Sequence, residues 1–219
     1  MFEPAIRILH VVGCMDRGGV ETWLIQMLRH TDRQRFQNDF LVHTARPCAF
    51  DGEIRSLGSR LIHCPAPRNL WSYSASLQSS LLEGRPYDIV HSHVDAFSGF
   101  VARFAKQAGV RARIVHSHNN TSRQRRKASV ARKCYLALAD RNIRRFATLG
   151  LAASPLAARA LFGSKWESLN TCKRLYYGCD FEPFASPPNE TPAGETPAGK
   201  APAGTAEVRR ELGLDQDDF

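Results

Sequence analysis

The chain has 219 residues, of which 43% are hydrophobic, and a net charge of +9. This is enough apolar material for one buried core, and no run approaches the ~18 consecutive apolar residues that a membrane span requires. The amino terminus, MFEPAIRILHVVG, has neither a basic lead nor a small-residue cleavage site, so it reads as a first strand rather than a signal peptide.

Short apolar runs alternate with helix-length segments along the chain. Residues 6–12 form a continuous apolar run of the kind buried on both faces of a sheet. A glycine-containing turn, 13–19, follows, and Val20, Trp23, Leu24, Met27 and Leu28 then recur at helical spacing through residue 30. Further strands are expected at 39–44, 60–63, 88–92, 111–117, 149–153 and 174–177. Helices are expected at 70–82 and 96–108, along the basic stretch after residue 122, and from Ser154-Pro155 to Gly163. Serine can cap the free amides of that last helix, and proline at its first position has no amide to leave unpaired. Alternating strands and helices predict an α/β fold, a Rossmann-like parallel sheet flanked by helices, with ligands bound outside the carboxyl ends of the strands.

The composition changes after residue 185. Residues 190–204 read ETPAG-ETPAG-KAPAG, a repeat unable to bury apolar surface. The expected organisation is a domain over 1–185, a disordered Pro/Ala/Gly linker over 186–206, and the start of a second domain over 207–219. The six cysteines (Cys14, Cys48, Cys64, Cys134, Cys172 and Cys179) include no C-x-x-C pair. They fit a reducing cytosol, as small core residues, better than a disulfide framework.

Three motifs fall at predicted strand ends. In Gly13–Glu21, Gly18 and Gly19 would let backbone amides approach a phosphate at a helix start, or would serve a tight turn needing positive φ. His91-Ser-His93, with Asp95 and Ser98-Gly99 beyond it, places two imidazoles on one strand face. That spacing also suits a metal, but no third ligand is evident nearby in sequence, so no metal is expected, and His91 is read as a buried histidine bonded to backbone. His116-Ser-His118-Asn119-Asn120 repeats the pattern, with His118 and Asn119 placed either to hold sugar hydroxyls or to cap the loop.

Nearly all of the excess charge lies between Arg123 and Arg145, where nine basic residues face one acid, Asp140, for a local charge of +8. The segment reads as a solvated helix face, with Val130, Cys134, Leu136, Leu138, Ile143 and Phe146 turned toward the core. Its arginines could meet anionic lipid or a diphosphate acceptor. Nucleic acid is not expected as a partner, because no aromatic residues interleave with the charges.

Taken in order, Asp16-Arg-Gly-Gly-Val-Glu21, Asp88-Ile-Val-His-Ser-His93, Arg113-Ile-Val-His-Ser-His-Asn119, Ala153-Ser-Pro155 and Tyr177-Gly-Cys-Asp180 resemble the amino-terminal domain of family 4 GT-B glycosyltransferases of the polysaccharide-building type. The last motif departs from the family's N-G-I/V-D turn, with Tyr177 in place of Asn and Cys179 in place of Ile or Val. The resemblance covers roughly residues 6 to 184.

The resemblance implies a nucleotide-sugar donor, UDP- or GDP-linked, no bound cofactor, and sugar transfer with retained configuration to a lipid-linked or glycan acceptor. It matches His118 to the family's active-site histidine and Gly18 and Gly19 to the loop that approaches the donor diphosphate. It assigns Asp16, His93, Asp95, Asn119 and Arg123 to the acceptor side. The family's second domain holds most of the donor, so these 219 residues alone are expected to be inactive. The expected location is cytoplasmic, with peripheral contact at the inner face of the cell membrane. The alternative is a non-catalytic acceptor- or membrane-binding module.

Overall fold

The computed structural model describes residues 4–64, 69–83, 86–178 and 180. The expected linker and second-domain start lie outside these residues. The described strands are β1 (Ile6–Val12), β2 (Phe36–Val42), β3 (Leu61–His63), β4 (Ile89–Ser92), β5 (Ala112–Ser117), β6 (Leu149–Ala152) and β7 (Cys172–Arg174). All pair in parallel, in the order β3-β2-β1-β4-β5-β6-β7. The helices are α1 (Gly19–His30), α2 (Asp51–Ser56), α3 (Leu70–Leu82), α4 (Ser98–Gln107), α5 (Ser122–Arg126), α6 (Val130–Phe146) and α7 (Pro155–Phe162). The strand order reverses between β1 and β4, and it is at such a switch point that an open parallel sheet leaves a crevice for ligands.

The sheet is covered on both faces. Leu9 and Val11 of β1, Val90 of β4 and Val115 of β5 pack with α3, α4 and α6. Val12, Phe40 and Val42 point the other way, to Leu24, Ile25 and Leu28 of α1 and Ile54 of α2. Because side chains alternate, His10, His91 and His116 leave the sheet on the α1 side.

Several elements differ from the sequence expectation. β2 begins at Phe36, because the polar residues Gln37 and Asn38 pair with Arg7 and Ile8 of β1. β7 ends at Arg174, so Leu175 to Tyr177 lie outside the sheet. The basic segment is two helices rather than one, and Ser129 starts the second by accepting a hydrogen bond from the Arg132 amide at 3.3 Å. Only part of its expected apolar face is inward: Leu136 and Ile143 are buried, whereas Val130, Cys134 and Leu138 are exposed. Ser154 does cap α7, accepting from the Ala157 amide at 3.1 Å, and Gly163 ends it with φ of +93°.

Gly99 serves packing, not ligand binding. A Cβ there would collide with the Ala139 carbonyl oxygen and lie 3.0 Å from its carbon and 3.2 Å from Asn142 Cβ, all on α6. The missing side chain lets α4 and α6 touch backbone to backbone. Gly99→Ala should therefore lower the free energy of unfolding in urea by about 2 kcal/mol, the scale of overpacking a filled core.

Candidate active site at the switch point

Five imidazoles converge on the α1 face of β1, β4 and β5. Strand register does much of this: His10 pairs directly with His91, and Ser92 with Val115, which brings His93 beside His116. His116 and His118 alternate out of β5 on the same side. Ring centroids are 4.2 Å apart for His91 and His93, 4.1 Å for His116 and His118, and 5.1 Å for His93 and His118. Trp23 of α1 lies over the group, with its centroid 5.4 Å from His116 and 6.1 Å from His118.

Hydrogen bonds thread the group in one direction. The Asn38 side-chain carbonyl can only accept, so His10 Nε2 donates to it at 3.0 Å. His10 Nδ1 then accepts from His93 Nε2 at 3.2 Å, and His93 Nδ1 accepts from His118 Nε2 at 2.9 Å. The Tyr177 hydroxyl closes the series by donating to His118 Nδ1. Three buried ring nitrogens take no part: His91 Nε2 and both nitrogens of His116 have no hydrogen-bond partner among the described residues.

Burial keeps these rings neutral. It lowers His10 and His116 to about 4 and His118 to about 3, the neighbouring His116 adding to the effect on His118. It holds His91 and His93 well below the usual imidazole range, and the surrounding histidines push the same way. Outside the group, burial also lowers His43, whose Nε2 lies 2.7 Å from the Tyr73 hydroxyl, to about 4.

Of the residues expected at the site, the structure brings His93 and His118 together. The expected shortage of a third imidazole is overturned, because one nitrogen each from His93, His116 and His118 lie within 4.8 Å of one another, as do those of His10, His91 and His93. Gly18 caps α1 with extended backbone, φ −154°, and Gly19 has no positive φ, so neither glycine serves a left-handed turn. No side chain caps the α1 amides, and a Cβ on Gly19 would meet nothing within 4 Å.

Asp16 instead pairs with Arg46 at 2.9 Å, and that bond lowers its carboxyl below the usual range. Asp95 has positive φ, 46°, and its half-buried carboxyl is raised by burial and coupled to Arg125, Asp140 and Arg132 on the α5–α6 side. Asn119 and Arg123 are exposed.

The sequence expectation missed His10, Trp23 and Tyr177. His10 sat inside an apolar strand, and only the β1–β4 pairing shows that it faces His91. Tyr177 was visible as a departure from the family's turn. Its ring stacks on Trp23 with centroids 4.7 Å apart, and its hydroxyl meets His118.

An all-parallel sheet covered by helices on both faces, with polar side chains gathered at its switch point, defines a doubly wound α/β domain. Residues 18–167 match the family described as the glycosyl transferase 4-like domain, and the chain belongs to that family. It is 35% identical over 187 residues to a Bacillus subtilis (strain 168) protein that carries the name glycosyltransferase EpsF, covering 82% of this chain and 47% of that protein. It is 26% identical over 162 residues to the Staphylococcus aureus capsular polysaccharide biosynthesis glycosyltransferase CapH, covering 73% of this chain and 44% of that protein. The Anabaena protein HepE, crystallised with UDP, superposes with a TM-score of 0.64 at 20% identity, over 95% of this chain and 50% of HepE. The chain thus spans about half the length of the relatives it matches.

The buried histidines set the acid limit of stability. Their folded values lie below the ordinary 6.5, so the unfolded chain binds more protons between about 6.5 and about 4. Stability should be full above the upper bound and fall with pH through that window, each histidine contributing up to ~1.4 kcal/mol per pH unit. Urea unfolding at several pH values, with a chelator present, measures this. A profile flat across the window would mean that the imidazoles are hydrated.

Proposed function

We propose that this chain is the acceptor-side half of a retaining glycosyltransferase that moves a hexose from a UDP- or GDP-sugar to a lipid-linked or glycan acceptor in surface polysaccharide assembly. The observation that carries the reading is the neutral His118, held at the switch point of a family 4-like domain between His93 and Tyr177. The complexes of HepE with UDP and with UDP-glucose support a nucleotide-sugar donor.

In this reading the uncapped amides behind Gly18 and Gly19 meet the donor diphosphate, since a helix start favours negative charge. The Glu21 carboxylate, which lies against Gly18, swings away as the phosphate arrives. His118 acts as an uncharged hydrogen-bonding group, not a cation, and a sugar hydroxyl takes the place that the Tyr177 hydroxyl holds. Asp16, Asp95, Asn119 and Arg123 contact the acceptor at the rim, Asp16 after releasing Arg46. The donor itself sits mainly on a second domain, as the family resemblance implies.

Purified alone, these 219 residues should turn over no nucleotide sugar. In a polypeptide that carries both domains, His118→Ala should lower kcat by roughly a hundredfold or more while the fold is retained, the scale of removing one group aimed at a transition state. Turnover by the isolated segment, or full activity of the two-domain variant, would refute this division of labour.

A contact with anionic membrane rests on the exposure of the basic helices. Arg125 is paired internally with Asp140, but Arg123, Arg126, Lys127, Arg132, Lys133, Arg141, Arg144 and Arg145 are all exposed. Among the described residues no helix is long and apolar enough to cross a membrane, so attachment would be peripheral, at the cytoplasmic face. Co-sedimentation with vesicles containing anionic lipid should fall steeply with salt. Replacing Arg141, Arg144 and Arg145 by Gln should weaken it by ~3 kcal/mol, more than a hundredfold. A module lacking catalysis would keep this binding and show no turnover even with the second domain present.

A further inference from the structure

We infer that the outer face of α3, α4 and α6 docks on an anionic phospholipid surface by inserting apolar side chains into it, with Trp71 as the anchor. This takes the peripheral membrane contact of the basic helices as given and adds to their charge attraction a face that enters the headgroup zone.

α6 carries the first observation. A helix packed on a sheet is expected to turn its apolar residues to the core, yet Val130, Cys134 and Leu138 are exposed, Val130 to 79%. They recur every four residues, so they form one stripe along the outer side of the helix. The stripe runs into a groove, which Leu138 lines with Leu70 and Trp71 of α3 and Phe100 and Phe104 of α4. Trp71 stands at the second position of α3 and is 88% exposed, so its ring contributes little to the core. Large apolar side chains gathered in this way mark a surface that meets something other than water.

Charge selects the partner. α3 and α4 contain no acidic residue, and the one acid of α6, Asp140, is paired with Arg125. Arg141 and Arg145 follow Leu138 by three and seven residues, on the same side of α6, and Arg103 lines the groove itself. Long cationic side chains lay their stems on apolar surface and lift their charges to the level of the phosphates. An apolar stripe flanked by arginines beside a tryptophan is the pattern of a helix lying in the plane of a membrane interface, where indole rings concentrate. The 17 residues of α6 give that contact a length of about 25 Å. The imidazoles leave the sheet on its other side, toward α1, so docking leaves them uncovered.

Vesicles of phosphatidylglycerol and phosphatidylcholine, prepared with and without brominated acyl chains, provide the test. The difference between the emission of the unaltered chain and that of Trp71→Phe isolates Trp71. On binding at low salt this emission should move to shorter wavelength, and the brominated chains should quench it. In co-sedimentation, Trp71→Ser and Val130→Ser should each weaken binding by roughly tenfold or more, the scale of keeping one large apolar side chain in water. Leu156→Ser, exposed on α7, should change nothing. Salt-sensitive sedimentation with unchanged Trp71 emission, or with full binding by both serine variants, overturns the insertion face and leaves the electrostatic contact standing. Absence of sedimentation at low salt overturns both. A dimer that forms without vesicles and that Trp71→Ser makes monomeric assigns the face to a second copy of the chain and overturns the docking as well.

Discussion

The site depends on the helix-covered parallel sheet, which has to bury histidines where such a sheet normally buries branched aliphatics. β4 and β5 are central strands, and the alternation that turns Val90 and Val115 toward α4 and α6 turns His91 and His116 toward α1. Nothing on that face can ionise cheaply, because burial in a low-dielectric layer penalises the charged form. The rings are therefore neutral, and each carries one proton that must be either shared or left without a partner.

Sharing the protons gives the group its order. With one proton per ring, a bond donated at one nitrogen obliges the other to accept, so the carbonyl of Asn38 fixes the tautomers of His10, His93 and His118 in succession. His116 lies outside this chain although it is the most deeply buried of the five. The geometry thus separates two roles. One set of histidines fixes the proton on His118, whereas His91 Nε2 and both nitrogens of His116 have no hydrogen-bond partner among the described residues.

Much of this architecture was legible in the sequence, because runs such as IRILHVV and RIVHSH are short, apolar and rich in branched residues, and strand ends follow from them. The two H-x-H motifs marked where β4 and β5 reach the crevice. The sequence could not show that β4 lies next to β1, since that pairing joins residues 81 positions apart, as His10 and His91 are. His10 was consequently read simply as part of a continuous apolar run, and its place among the imidazoles was missed. The polar start of β2 was overlooked for a similar reason, since Asn38 is buried by its role toward His10 and not by its hydropathy. The basic stretch was read as one helix, and the Ser129 cap is what marks the new start. Tyr177, seen first as a defect in a family turn, is the residue that joins that turn to α1 and to His118.

The stack of Trp23 on Tyr177 also makes the site visible to light. The protein has three tryptophans. Trp71 is 88% exposed and emits as a solvated indole, and Trp166 is buried beside α7, in a cluster apart from the histidines. Only Trp23 sits on the imidazoles and against a tyrosine ring. A ligand that displaces the Tyr177 hydroxyl from His118 would change the surroundings of Trp23. The fold carries its own fluorescent reporter, and occupancy can be followed without a label.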